Sequence, residues 1–187
     1  MRDRLTFRPV DEQTRDDFVG LFEQPGGPSY CWCMAWRVTA EEAKIKKGSE
    51  RRPFMLGRIA DGVPVGILAY AEGLPVGWVS VAPRDTYRAL GGPAAKPGEV
   101  IWSIACLYLK RSFRGQGLTH LLLEGAIDHA RAQGATIVEA YPVDPDSPSY
   151  RHMGFVPAFA AHGFAEIGMA GSRRHVMRLT LTGGSAS

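Results

Sequence analysis

The segment Arg111–Ala130, RSFRGQGLTHLLLEGAIDHA, is the part of the sequence that most restricts the fold. Two glycines beside a basic residue lead directly into a segment whose apolar residues recur at helical spacing, which predicts an amphipathic helix. The inner face of this helix comprises Leu118, Leu121, Leu122, Ala126, Ile127 and Ala130. Glycines before a helix allow a ligand to approach its N-terminus, where free N–H groups and a partial positive charge attract anions. The segment therefore predicts a phosphate-type anion site, or else a tight strand-to-helix connection without a ligand.

The spacing excludes two common phosphate-binding motifs. A P-loop requires Lys and then Ser or Thr after its second glycine, whereas Gly117 is followed by Leu118 and Thr119. A dinucleotide-binding loop requires a third glycine at the position that His120 occupies. An anion held by this loop would therefore belong to another class of ligand.

The order of the remaining elements predicts an α+β fold. Helical patterns are TRDDFVGLFEQ, a polar stretch that begins at Thr39 with a capping-box pattern, the segment described above, and SPSYRHMGF. Strand patterns are RLTFRPV, the hairpin VPVGILAYAEGLPVGWVSVAP, VIWSIACLYL, TIVEAYPV and RHVMRLTL. This order predicts a mixed, mostly antiparallel central sheet flanked by helices, in a single domain of residues 1–182 with a flexible tail at 183–187.

Composition limits the partners and the compartment. The net charge of the 187 residues is +3 and the basic residues are dispersed, which argues against a nucleic-acid partner. We find no signal-peptide pattern and no apolar run long enough for a bilayer, so we expect no membrane partner. Three cysteines are too few for a disulfide scaffold, and a cytoplasmic location is expected.

Two motifs in order resemble the GNAT superfamily of acyl-CoA-dependent N-acetyltransferases. The pyrophosphate loop of that family, Arg/Gln-x-x-Gly-x-Gly/Ala, is similar to Arg114–Thr119, RGQGLT, with Thr119 at the last position. The later Tyr-x-x-x-Gly-Phe signature is matched by Tyr150, Gly154 and Phe155. The strand order agrees as well, so the resemblance covers nearly the whole chain and implies a GNAT-like fold.

The resemblance implies acetyl-CoA as the cofactor and direct transfer of its acetyl group to the primary amine of a small molecule. It implies that Tyr150 protonates the leaving sulfur. The cofactor-binding residues that it implies are Leu107, Tyr108, Leu109, Arg114, Gly115, Gln116, Gly117, Leu118 and Thr119. A homodimer is compatible with this interpretation. Two alternatives stay open, namely a non-catalytic acyl-CoA-binding or sensing domain and a module that binds another phosphate.

The segment SYCWCMAWR, residues 29–37, is the most unusual part of the sequence. Its Cys-x-Cys pattern has no second Cys/His pair at zinc-ligand spacing, so we expect no metal. In the family this segment lies between the first two helices, which wall the acceptor pocket, and Trp32, Trp36 and Arg37 are then candidate substrate-binding residues. Trp78 and Trp102, on central strands, either face the same cavity or fill the core. A fixed Arg37 charge predicts an acceptor that carries an anionic group beside its amine.

The general base is not defined by a motif. The fourth strand contains no carboxylate, and the nearest ones in sequence are Glu99 and Glu139. An ordered water is the alternative proton relay. Cys106 is interpreted as a small packing residue, and His129 and His152 as surface or helix residues.

Overall fold

The computed structural model describes residues 5–182. In this range the strands are β1 (Thr6–Pro9), β2 (Ile67–Ala71), β3 (Leu74–Pro83), β4 (Ile101–Leu109), β5 (Ile137–Ala140), β6 (Ala165–Ala170) and β7 (Arg174–Thr180). The α-helices are α1 (Arg15–Glu23), α2 (Arg52–Ala60), α3 (Thr119–Ala132) and α4 (Val156–Ala161). The tail predicted at residues 183–187 lies outside the described residues. In the described range no helix is both long enough and apolar enough to cross a membrane.

The strands form one sheet in the order β1-β2-β3-β4-β5-β7-β6. Every neighbouring pair is antiparallel except β4–β5, which is parallel. Helix α3 makes the crossover that a parallel pair requires. The predicted fold class, a mixed and mostly antiparallel sheet flanked by helices, is confirmed.

The two faces of the sheet are covered by different helices. Trp78 and Val79 are consecutive residues of β3, so their side chains point to opposite faces. Trp78 packs in a cluster with the buried side of α1, and Val79 packs in another cluster with the buried side of α3. The predicted inner face of α3 is largely confirmed, because all its members except the half-buried Leu121 are buried.

The helix predicted from Thr39 is wrong, although its capping box forms. The Thr39 N–H donates to Glu42 Oε2 at 2.9 Å, and the Glu42 N–H donates to Thr39 Oγ1 at 3.2 Å. Only a 3₁₀ turn, Glu42–Lys44, follows, and it has no buried residue. A cap favours helix initiation, but propagation depends on an apolar face packed against the protein, which this turn lacks. The second helix is α2.

The helix predicted at SPSYRHMGF is also wrong. The chain makes only a 3₁₀ turn, Arg151–Met153, because Tyr150 at φ 58° and Gly154 at φ 89° adopt positive φ on its two sides. The α-helix is α4, which starts two residues after Gly154. Strand β6 was not predicted, because five of its six residues are exposed and the alternation typical of a half-buried strand is absent.

The central feature of the sheet is a fork between β4 and β5. The two strands pair only over Ile101–Ile104 and Ile137–Ala140, while β4 continues to Leu109. A bulge at Ala105 accompanies the divergence, since Ser80 pairs with Cys106 and the next residue of β3 pairs with Ile104. The chain after β5 packs over β4 through the turn Arg151–Met153. The outer half of β4 is therefore open on its β5 side.

Gly154 maintains close packing at this fork. A Cβ atom on Gly154 would lie 2.6 Å from the Phe159 ring and 2.9 Å from Leu107, and its φ of +89° is itself unfavourable for other residues. We expect Gly154→Ala to lower the free energy of unfolding by about 1–3 kcal/mol more than Gly163→Ala does. Gly163 is a matched control, because its φ is +85° but its added Cβ would meet only an ordinary contact at 3.5 Å. Equal losses in urea unfolding would contradict the packing argument.

Candidate acetyl-CoA and acceptor site

The glycine loop, residues 114–118, connects the end of β4 to helix α3. A 3₁₀ turn at Arg111–Phe113 reverses the chain, and Gly115 at φ +73° and Gly117 at φ +74° then bring it to the helix N-terminus. A Cβ at Gly115 would meet nothing within 4 Å, and one at Gly117 would meet only His120 at 3.9 Å. The two glycines thus provide left-handed backbone and leave free space in front of the helix.

The N–H groups that follow Arg114, in the rest of the loop and at the first residue of α3, are available to a ligand. Those of residues 115–119 donate to no acceptor within residues 5–182. The exposed Arg114 side chain folds back, and its Nε donates to the Leu109 carbonyl at 2.8 Å, which ties the loop to β4. Five consecutive free N–H groups at the N-terminus of a 14-residue helix are the donor set that a pyrophosphate requires. The loop therefore fits the pyrophosphate of coenzyme A.

The predicted pantetheine-binding residues lie in the open part of β4. Leu107 and Tyr108 are half-buried, Leu109 is buried, and within the described residues all three pair only with β3. The fork thus leads from the glycine loop toward the bulge at Ala105. A ligand extended along β4 would have its pyrophosphate at the loop and its far end at the bulge.

A cavity of about 210 Å³ lies beside the bulge. It is walled by the outer half of β4, by Ser80 of β3 and by the segment that contains the Cys-x-Cys pattern. Its lining comprises Pro28, Tyr30, Cys31, Cys33, Ala35, Trp36, Arg37, Ser80, Ala105, Cys106, Leu107, Tyr108 and His152. None of these residues carries a carboxylate, so the charged lining groups are those of arginine and, when protonated, histidine. The cavity thus favours anionic or neutral ligand groups.

Arg37 is buried in the cavity wall, with only 5% of its surface exposed. Its guanidinium donates to the carbonyl oxygens of Cys33 and Val65 at 2.9 and 2.5 Å and to the Ser80 and Tyr87 hydroxyls at 2.7 and 3.0 Å. All four acceptors are neutral, and no carboxylate of residues 5–182 forms an ion pair with Arg37. Its Nε is buried without a partner. Arg37 therefore holds the segment in place and leaves a positive charge beside the cavity.

A second arginine lies near the cavity. The Arg174 guanidinium is 4.4 Å from the Trp36 ring centre and 5.4 Å from that of Tyr150, and it donates to the Leu90 carbonyl. Desolvation lowers the pKa of Arg174. The Trp36 and Tyr150 ring centres are 6.4 Å apart, and Tyr150 is 40% exposed. Tyr150 thus lies at the rim of the cavity rather than in its lining.

The three cysteines line the cavity, where Cys106 meets the Cys31–Cys33 pair from a distant part of the sequence. Cys33 Sγ lies 3.5 Å from Cys106 Sγ and accepts a hydrogen bond from Trp78 Nε1 at 3.1 Å. The hydrogen bond that Cys33 donates to Cys106 raises the pKa of the Cys33 thiol, and burial raises it further. The pKa of Cys31 is also raised, first by its hydrogen bond with Cys33 and then by burial. Cys33 and Cys31 are therefore neutral thiols at neutral pH.

Three of the predicted substrate-binding tryptophans do not face the cavity. Trp32 is 2% exposed and stacks on Phe22, with ring centres 5.4 Å apart, and Trp78 is fully buried in the same cluster. Trp102 lies in the core on the α3 side, beside His129. Trp78 and Trp102 thus fill the core, which is one of the two positions predicted for them. Trp32, expected in the acceptor pocket, packs instead into the core against the buried side of α1. Trp36 and Arg37 do line it.

The two carboxylates considered as bases lie elsewhere. Glu139 is fully buried, where it accepts from Tyr141 and from Arg178 at 2.7 Å. Glu99 is 3.7 Å from the same arginine. His152, interpreted above as a surface or helix residue, is exposed and also borders the cavity, and desolvation lowers the pKa of its imidazole. The sequence contained one signal for a position at the site, because His152 lies between Tyr150 and Gly154 in the Tyr-x-x-x-Gly-Phe signature.

Comparison with known proteins identifies the class that this fold and site define. Residues 29–155, more than half of the chain, match the profile of the Acetyltransferase (GNAT) family. The chain belongs to this family, and it is therefore an N-acetyltransferase that uses acetyl-CoA. Its matched region contains both the glycine loop and the Tyr-x-x-x-Gly-Phe signature.

Solved structures of the same fold have low sequence identity to the chain. The NatC complex bound to Gag peptide and CoA aligns with a TM-score of 0.56 at 13% identity, covering 96% of this chain and 99% of the other. A ribosomal-protein-alanine N-acetyltransferase from Brucella melitensis gives 0.55 at 18% identity over 94% and 99%. The PaiA N-acetyltransferase from Thermoplasma acidophilum, in complex with coenzyme A, gives 0.55 at 15% over 95% and 99%. Among curated proteins no sequence match is found.

Proposed function

We propose that the chain acetylates the primary amine of a small molecule that also carries an anionic group such as a carboxylate. The observation that carries this proposal is the charge of the cavity. Arg37 lies buried in its wall with neutral partners, and no lining residue supplies a compensating carboxylate. A buried charge without a counter-ion is costly, so an anionic ligand group that approaches it is favoured. The cavity volume, about 210 Å³, suits a metabolite-sized ligand.

The same charges favour the reactive form of the amine. Arg37 and Arg174 both lack carboxylate partners within residues 5–182 and lie beside or near the cavity. A positive environment disfavours an ammonium group, so it lowers the pKa of the bound acceptor amine. The acceptor then loses its proton at a smaller cost, with water or His152 as the receiving group. The ligand anion keeps the acceptor bound while the amine becomes a nucleophile.

The roles of the remaining residues follow from the path along the fork. The N–H groups of residues 115–119 hold the pyrophosphate, and β4 residues 107–109 align the pantetheine arm. Acetyl-CoA supplies the activated thioester whose carbonyl the amine attacks. The chain orients the two reactants, since proximity accounts for a large part of the rate gain in such transfers. Tyr150, at the rim beside Trp36, donates a proton to the departing sulfur.

The acceptor class is tested with paired substrates that share one amine. Amino acids are compared with their amides, and kcat/KM is expected to be about 10- to 100-fold higher for the acids, which corresponds to about 1.5–3 kcal/mol. Arg37→Gln is expected to remove this preference, and Arg37→Lys to retain part of it. The lysine variant is the matched control, because both variants disrupt the guanidinium hydrogen bonds but only one loses the charge.

Three results would contradict an anion-bearing acceptor, and a fourth would contradict a small-molecule acceptor. The first is equal use of acids and amides by the wild-type enzyme, and the second is a preference for cationic polyamines. The third is an unchanged preference in a folded Arg37→Gln protein. Acetylation of a peptide N-terminus in place of any metabolite would assign the cavity to a protein acceptor.

A further inference from the structure

The geometry points to a redox-sensitive dithiol in the acceptor cavity: Cys33 and Cys106 form a disulfide when a hydroperoxide reaches the cavity, and this bond blocks acceptor binding. The inference rests on the proposed function, because it takes the cavity as the acceptor site. The bond itself does not depend on that assignment. The two sulfurs already touch at 3.5 Å, although the two cysteines are 73 positions apart in the chain.

The surroundings hold the two sulfurs in contact. Cys106 lies on the central strand β4 next to the bulge, and Cys33 lies on the segment anchored by Arg37 through the Cys33 carbonyl. Trp78 Nε1, on β3, donates a hydrogen bond to Cys33 Sγ. The backbone at Trp32 and Cys33 has positive φ, 51° and 48°, which is uncommon for residues other than glycine. Since a disulfide bond is about 2.05 Å long, the sulfurs need to approach by only about 1.5 Å.

The exposure of the two cysteines and the protonation of Cys33 indicate which of them the hydroperoxide oxidises first. Cys106 is partly exposed in the cavity, whereas Cys33 is buried and its thiol is held protonated by its hydrogen bond to Cys106. The hydroperoxide therefore oxidises Cys106, and with hydrogen peroxide the products are a sulfenic acid and water. Cys33 sulfur then attacks the Cys106 sulfur, the S–O bond breaks, and the hydroxyl leaves as water with the Cys33 proton. One peroxide is reduced to two waters as two thiols become one disulfide.

The bond would change the cavity directly, because both cysteines line it. It draws the Cys33 wall toward β4 in a cavity of only about 210 Å³. It also restrains the segment that carries Trp36 and Arg37. The glycine loop lies at the other end of the outer half of β4, so coenzyme A binding is expected to persist. Oxidation should therefore raise KM for the acceptor, reversibly with dithiothreitol.

The test treats the full-length enzyme with hydrogen peroxide and reads the intact mass. Wild type is expected to lose the mass of two hydrogen atoms and to yield a cross-link between the tryptic peptide ending at Arg37 and the one ending at Lys110. Cys31→Ser should still form the cross-link, whereas Cys33→Ala and Cys106→Ser should not. Each variant is compared with its own reduced form, so a change in basal activity does not affect the reading. KM for the acceptor and the affinity for coenzyme A are measured on the same samples.

The outcomes separate the dithiol from the acceptor assignment. The inferred Cys33–Cys106 disulfide is overturned by any of three results: no cross-link, a bond between Cys31 and Cys33 instead, or direct conversion of Cys106 to sulfinic acid. In each case the proposed function still stands if carboxylate-bearing amines are preferred. A cross-link that leaves acceptor KM unchanged overturns the regulatory inference and counts against the cavity as the acceptor site. A cross-link that raises KM at least tenfold with coenzyme A affinity retained supports both.

Discussion

Gly117→Asp is expected to abolish coenzyme A binding and with it acetyl transfer. The glycine has open space before it at the N-terminus of α3, so an aspartate carboxylate would occupy the region proposed for the pyrophosphate. Like charges placed in contact cost several kcal/mol, and about 1.4 kcal/mol corresponds to a tenfold change in affinity. Affinity for coenzyme A should therefore fall more than about 100-fold. The rise in Tm that coenzyme A produces in the wild type by mass action should disappear.

Gly134→Asp is the matched control for this substitution. Gly134 has φ +86°, lies just beyond the opposite end of the same helix, and also has nothing within 4 Å of an added Cβ. The control therefore introduces the same kind of backbone strain and the same added charge at a position outside the glycine loop. A Gly117→Asp protein that folds and binds coenzyme A as tightly as the control would show that the loop is only a connection between strand and helix.

Tyr150→Phe is expected to lower kcat by roughly ten- to ten-thousand-fold, the range for loss of a general acid. The phenyl ring retains the contacts with Trp36 and Arg174, so affinity for coenzyme A and the stability of the fold should change little. Steady-state kinetics at saturating acetyl-CoA, together with a coenzyme A titration, measure the two effects separately. A fall in kcat without a change in affinity identifies an interaction made in the transition state.

Tyr70→Phe controls for the loss of a hydroxyl. The Tyr70 hydroxyl donates to Asp17 at 2.8 Å on the α1 side of the sheet, and Tyr70 does not line the cavity proposed for the acceptor. Its removal should affect stability more than kcat. If Tyr150→Phe turns over at the wild-type rate in both steady-state and single-turnover kinetics, Tyr150 is a packing residue and another group protonates the sulfur.

The elements that could be read from the sequence are those specified by local interactions. Residues 111–130 predict the glycine loop and helix α3, because positive φ at two glycines and a 3.6-residue apolar period are local properties. The capping box at Thr39 was also read correctly, yet its helix did not form, since propagation depends on packing that the local pattern does not contain. Strand β6 could not be predicted for a similar reason. It is formed by pairing with β7, and its own sequence lacks the alternation of apolar and polar residues that marks a half-buried strand.

The features of the candidate site also fall into those that local sequence specifies and those that only the tertiary structure sets. The sequence by itself determined the family, the glycine loop and the place of Tyr150 in the Tyr-x-x-x-Gly-Phe signature, because each depends on short segments with a fixed spacing. Only the tertiary structure decided that Trp36 and Arg37 line the cavity while Trp32 is buried in the core. It also decided that Arg37 has no carboxylate partner within the described residues, and that the Cys33 and Cys106 sulfurs touch. These properties depend on distances between residues far apart in the chain, which sheet pairing and helix packing set and local sequence patterns do not encode.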